Sequence, residues 1–345
     1  MANDIIKTNQ EMEQFVIQAS FSRSRWYFGK MFGDKYKPLE FVHVSDMHNV
    51  PLLWKRMVKY VNHYSDYISF VIHTGDYCGG SQKEYTDLYK VKKCMRPIYN
   101  CVGNHDCVTG YEGWELAKKK NVHELLFNHT EGWDVHFSDC KCSMSYYKDF
   151  PDSNVRMIVL DIYYDIDQTR SWLKNILDDA CEKGVHVLTA MHQRTGYIVE
   201  NINISYSSLD PYKQVQEYFE AKRKKPDFDR RNRLIFEDII VDFIQKGGKY
   251  VCNLAGHEHH DEFGFTEQGV LNIVVANGTT YDEHSDMRRI KNTRALDCFN
   301  VMSVDTDLGV LKVIRIGANT DHLMRKKTAF CFDYVNKKLI ADGRN

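Results

Sequence analysis

From about residue 40 the chain alternates short, nearly continuous apolar runs with longer stretches of helical periodicity. The runs are Phe41–Val44, Ile68–Ile72, Ile98–Val102, Met157–Leu160, Val185–Ala190 and Tyr250–Leu254. Short runs without polar alternation predict strands covered on both faces. Between them the spacing predicts helices over about 51–64, 82–94, 112–127, 168–182 and 234–246. The fourth puts Trp172, Leu173, Ile176 and Leu177 on one face, and Gly184 stands where a helix C-cap belongs. Strands alternating with helices predict an α/β layered fold.

After about residue 262 the texture changes. F-G-F-T-E-Q-G-V-L-N-I-V-V-A-N-G and C-F-N-V-M-S-V-D-T-D-L-G-V-L-K-V-I-R-I-G read as strands and turns, with D-T-D-L-G a hairpin turn. Antiparallel strands from this region should complete the sheets. The expected organisation is an N-terminal arm over 1–40, one domain over 41–317 and a tail over 318–345 with no assignable structure. Residues 195–233 lack strong periodicity, as an inserted lid would.

Composition narrows the class without naming it. The 46 Lys and Arg against 47 Asp and Glu leave a formal charge of −1, which excludes a generally basic nucleic-acid coat protein. Six prolines and 20 glycines exclude a low-complexity chain. The ten cysteines contain no C-x-x-C pair, so neither a zinc ribbon nor a disulfide framework is expected. No apolar stretch is long enough to span a membrane, and the amino end lacks the layout of a secretory signal. The expectation is a cytoplasmic protein with reduced thiols and no membrane contact.

The chemistry sits at the ends of the runs. The first closes in Asp46 and His48, the second in Asp76, and the third in Asn104, His105 and Asp106. A later run closes in His192, and the last in His257 and His259. Ligands of open α/β sheets bind outside the carboxyl ends of the strands, so these groups should converge on one rim. Carboxylate, amide oxygen and imidazole together suit Mn, Fe, Zn, Co or Ni better than Ca or Mg, with Mn favoured. Seven such groups exceed one tetrahedral site. Two ions sharing a bridging carboxylate would use them economically, in the arrangement that clamps an in-line displacement. Glycines before Asp76, Asn104 and His257 let the backbone turn sharply beside the ions.

The ordered set D-x-H, G-D, G-N-H-D, H and G-H-x-H resembles the calcineurin-like metallophosphoesterase family, with all five blocks present in order. The resemblance implies two packed mixed β-sheets flanked by helices, a four-layer sandwich. It implies that Asp46, His48 and His259 hold one metal, that Asn104, His192 and His257 hold the other, and that Asp76 bridges both. It also implies hydrolysis of a phosphomonoester or phosphodiester by in-line attack of a metal-bound hydroxide. His105 would face the substrate, and Asp106 would orient and charge its ring. Purple acid phosphatases, a branch of the family, carry a metal-bound Tyr three residues after the bridging Asp. Gly79 stands there in this chain, so no Tyr-ligated ferric centre is expected.

Two other readings stay open. Lys222–Lys225 with Arg230, Arg231 and Arg233, and a second cluster at Arg288, Arg289, Lys291 and Arg294, are basic. The first would let a nuclease grip polynucleotide, where the main reading takes a small or nucleotide-like phosphoester, and the second would line the same rim. A non-catalytic structural or interaction module on the same fold is the third. His43 and His73 each stand three residues before a metal Asp and so face the other side of the strand, as core histidines.

Overall fold

A computed structural model describes residues 27, 30–77, 88, 90, 92–107, 134–139, 143–163, 166–196, 198–201, 235–259, 261–276, 278, 297–317 and 329–342. Their strands form two mixed sheets. In the seven-stranded sheet, β1 (Leu39–Val44) pairs in parallel with β2 (Phe70–His73), which pairs in parallel with β3 (Ile98–Asn100). On its other side β1 meets β12 (Cys298–Asp305), followed in antiparallel order by β13 (Val310–Gly317), β14 (Ala329–Asp333) and β15 (Lys338–Asp342).

The eight-stranded sheet has a parallel centre. β6 (Val155–Val159), β7 (His186–Ala190), β9 (Lys249–Ala255) and β11 (Leu271–Val274) lie side by side. β5 (Tyr146–Phe150) and then β4 (His136–Phe137) extend one edge, and β10 (Glu262–Thr266) and β8 (Ile198–Asn201) extend the other.

Three apolar layers hold these sheets. Between them, Phe41, Phe70 and Val313 of one sheet pack on Met157, Leu188 and Leu254 of the other. Outside the seven-stranded sheet lies α1 (Pro51–His63), which buries Leu53, Trp54, Met57, Val58 and Val61 along one stripe. Pro51 opens this helix at a position where no backbone donor is needed. Outside the other sheet lie α3 (Ile166–Lys183) and α4 (Glu237–Gln245). They bury Leu173, Leu177, Ile240 and Phe243, and Arg170 pairs with Asp238 between them. A short α2 (Asn104–Cys107) follows β3. The helix–sheet–sheet–helix order is the expected four-layer sandwich.

The six apolar runs correspond to β1, β2, β3, β6, β7 and β9, and the first, fourth and fifth helical segments to α1, α3 and α4. Gly184 has φ 65°, as its C-cap position requires. The D-T-D-L-G hairpin joins β12 to β13, where Asp305 pairs with Val310. The tail needs correction. β14 and β15 continue the seven-stranded sheet, so the domain runs past 317 to 342. The lid reading also starts too early, since 198–201 form β8 on β10. Residues 202–234, both basic clusters, Gly79 and the 112–127 helix lie outside the described residues.

Candidate metal centre

β1, β2 and β3 run in parallel, so their carboxyl ends bring Asp46, His48, Asp76 and Asn104 to one rim. β7 and β9 deliver His192, His257 and His259 from the opposite sheet. The ligand atoms of Asp46, His48, Asp76 and His259 lie within 4.8 Å of one another. Those of Asp76, His192 and His257 do so as well, which makes Asp76 common to both groups. Asn104 joins the second group: its Oδ1 is 2.9 Å from His192 Nε2 and 2.9 Å from His257 Nδ1. All seven residues expected from the sequence thus meet at the seam between the two sheets.

The local backbone is unusual there. Asp46, His48, Asp76, His257 and His259 all have φ between 43° and 67°. This is the left-handed region that side-chain-bearing residues seldom enter, and such strain persists only where the surroundings over-determine it. The surroundings do so here. Asp46 N–H donates to the Gly75 carbonyl (3.0 Å) and His48 N–H to that of Asp76 (3.1 Å). A Cβ on Gly103 would overlap the Asp76 carboxylate, and one on Gly256 would overlap Ser45 and Asp46, so only glycine fits either position.

Hydrogen bonds also aim the ligands. His192 Nδ1–H donates to the Thr74 carbonyl at 2.7 Å, which leaves Nε2 facing Asp76 Oδ2 at 3.3 Å. The His257 backbone N–H donates to Asp46 Oδ2 at 2.9 Å, across the seam. His48 Nε2 and His259 Nε2 stand 3.2 Å apart, and His259 Nε2 is 3.1 Å from Asp46 Oδ1.

Opposite charges balance within the cluster. Burial pushes the Asp46 carboxyl up, but the His259 imidazole, with those of His192 and His48, holds it well below the usual carboxylate range. Asp76 is likewise raised by burial, yet His192 brings it down to about 2. Burial lowers His192, but Asp76 and Asp46 outweigh it and push this imidazole up to about 10. In the metal-free chain, imidazolium protons offset two buried carboxylates. Cations held by the same atoms would replace those protons, and a set of carboxylate, amide and imidazole donors fits two transition ions.

His105 and Asp106 occupy α2, beside the pair. The His105 ring is exposed, 4.8 Å from the His48 ring and edge-on to it, while its backbone N–H donates to Asp76 Oδ1 at 2.8 Å. Asp106 is buried, and its carboxylate accepts three backbone N–H groups: Asp76 and Gly103 (both 2.8 Å) and Tyr77 (2.9 Å). This bracing of Asp76 was not part of the sequence reading, which gave Asp106 the His105 ring. The Thr74 carbonyl was missed too, because no side-chain signal marks a backbone acceptor.

His43 and His73 are fully buried. His43 Nε2 lies 3.1 Å from Thr74 Oγ1, and His73 accepts the Gly75 N–H and stacks on Tyr77. Both are core histidines beneath the cluster.

A family model described as calcineurin-like phosphoesterase matches residues 39–261. No curated protein matches the chain significantly. Among solved structures, a dimetal phosphatase from Danio rerio is 12% identical, with a TM-score of 0.49 over 81% of this chain and 96% of its own. A purple acid phosphatase from yellow lupin (Lupinus luteus) seeds is 12% identical, with a TM-score of 0.51 over 89% of this chain. This chain spans about half of the lupin protein, 53% of its length. At such identity the lupin likeness speaks for the fold alone.

Proposed function

Because the chain belongs to the calcineurin-like phosphoesterase family, we propose that it is a dinuclear-metal-dependent hydrolase of phosphomonoesters or phosphodiesters. The observation that carries this reading is the sharing of Asp76 between two ligand groups. In it, Asp46, His48 and His259 would hold one ion, Asn104, His192 and His257 would hold the other, and Asp76 would be shared by both. Manganese is the favoured ion, and the substrate is a small or nucleotide-like phosphate ester. Two such ions, when bound, lower the pKa of water towards about 7 and offset the negative charge that grows at phosphorus.

The chain's own residues do the rest. Phosphoryl transfer depends mainly on positioning and electrostatics, and seven ligands fixed by two sheets supply the positioning. His105 is the catalytic residue: its exposed ring stands beside His48 and protonates the leaving oxygen. Asp106 is a positioning residue that holds the backbone of Asp76. The Thr74 carbonyl keeps His192 in the tautomer whose Nε2 can bind an ion. A cytoplasmic setting belongs to the same reading. Among the described residues no helix is long and apolar enough to cross a membrane.

Turnover of p-nitrophenyl phosphate and bis-p-nitrophenyl phosphate with added manganese tests the reading. Hydrolysis of either ester that a chelator abolishes is the expected result. No turnover with any divalent metal would overturn it.

A further inference from the structure

Along β13 the side chains alternate between layers. Ile314 and Ile316 pack with α1, while Leu311 and Val313 face the apolar space between the sheets. Arg315 shares the phase of Leu311 and Val313, so a guanidinium occupies an inter-sheet position where an apolar residue would be expected. It is 1% exposed. β13 runs in the same direction as β1, being antiparallel to β12 as β1 is, and Arg315 therefore lies towards the metal end of the sandwich.

Every arm of this guanidinium is used. Nε donates to Asn300 Oδ1 (2.8 Å), Nη1 to Cys298 Sγ (3.0 Å), and Nη2 to Asp261 Oδ1. Asp261 is fully buried and also accepts the Ala276 N–H at 2.9 Å. It follows His259 by two residues and leads into β10 of the eight-stranded sheet. The ion pair thus ties the turn carrying His259 to the sheet carrying Asp46, His48 and Asp76.

We propose that Arg315 is a positioning residue for the first metal site: through Asp261 it sets where His259 stands relative to Asp46. The inference rests on the dinuclear reading above. A buried ion pair is weak evidence for stability, since apolar replacements of both partners are often neutral or better. What the pair supplies is register between two sheets at the seam where the ligands meet. His257 is held separately, by its backbone bond to Asp46 and its ring contacts with Asn104 and His192. Loss of the Arg315–Asp261 pair should therefore affect the His259 site and spare the other.

The test is a manganese titration of the full chain, parent against the double variant R315M/D261N, with metal-free unfolding measured alongside. The double variant removes both charges and keeps an acceptor for Ala276. The expected result is cooperative unfolding like the parent's, one metal bound with parental affinity, and the other weakened about 10–100-fold, the usual effect of losing an outer-shell partner. Two parental affinities in the folded variant, or equal weakening of both, would overturn the proposal. Should the double variant fail to fold, R315K decides. It keeps the charge but loses the fork, so one site should weaken selectively, and unchanged affinities there would overturn the proposal. A parent chain that binds no metal would instead sink the dinuclear reading itself.

Discussion

The Asp106 carboxylate accepts the backbone N–H of Asp76 at 2.8 Å, so the residue after the exposed His105 braces the residue that two ligand groups share. Hydrogen bonds to a charged acceptor contribute about 1.5–3 kcal/mol each. Asp106→Asn keeps one oxygen, loses the charge and turns an NH2 towards backbone donors. Its unfolding free energy should fall by about that amount, and both metals should bind more weakly, because Asp76 then leaves its left-handed conformation more readily. Denaturant unfolding and metal titration check this. Parental stability and parental affinities together would assign Asp106 no bracing role.

Asp76→Asn should remove most metal and nearly all activity, since it unlinks both groups at once. Elemental analysis after dialysis, read beside turnover, is the check. A variant that retained two ions per chain would show that Asp76 is not the bridge.

His105→Ala should keep the metals and lose rate, by about 10²–10⁴-fold if its role is general acid catalysis. Its exposed ring lies outside both ligand groups. Loss of metal stoichiometry in this variant would contradict the role.

The convergence of the seven residues was legible because each motif block closes an apolar run, and parallel strands carry their ends to one rim. Which sheet each strand joins was not legible. That the cluster draws on both sheets follows from long-range pairings such as β1 with β12, and no local pattern encodes them. The β14–β15 hairpin escaped for a different reason. Ala329, Cys331 and Asp333 are half-buried while Phe330 and Phe332 are buried, an alternating pattern too short to stand out beside the continuous runs. Arg315 and Asp261 were invisible as a pair because 54 residues separate them.

The buried histidines set the pH dependence of the metal-free chain. Burial lowers His43 and His73 to about 3, against 6.5 when unfolded. Their folded pKa values are depressed, so this stability is present above pH 6.5 and is lost as pH falls from 6.5 towards 3. His192 behaves oppositely. Burial lowers it, but Asp76 raises it to about 10, so its contribution is present below pH 6.5 and is lost as pH rises towards 10. Each titration changes stability by at most about 1.4 kcal/mol per pH unit. Metal-free stability should peak near pH 6.5. Bound metal displaces the His192 proton, so the alkaline decline should vanish in the loaded protein and metal uptake at pH 7 should release protons. Urea midpoints at pH 4.5, 6.5 and 9, with and without manganese, check both limbs. An alkaline decline that persisted with metal bound would count against His192 as a ligand.

On the proposed reading, one site holds two ions across the seam and hydrolyses a phosphate ester. Manganese added stepwise to metal-free protein, with p-nitrophenyl phosphate and bis-p-nitrophenyl phosphate turnover followed at each addition, tests it most directly. Activity should rise with metal and level off at two ions per chain. Turnover that ignored added metal, levelled off at one ion, or never appeared with any divalent ion would contradict it.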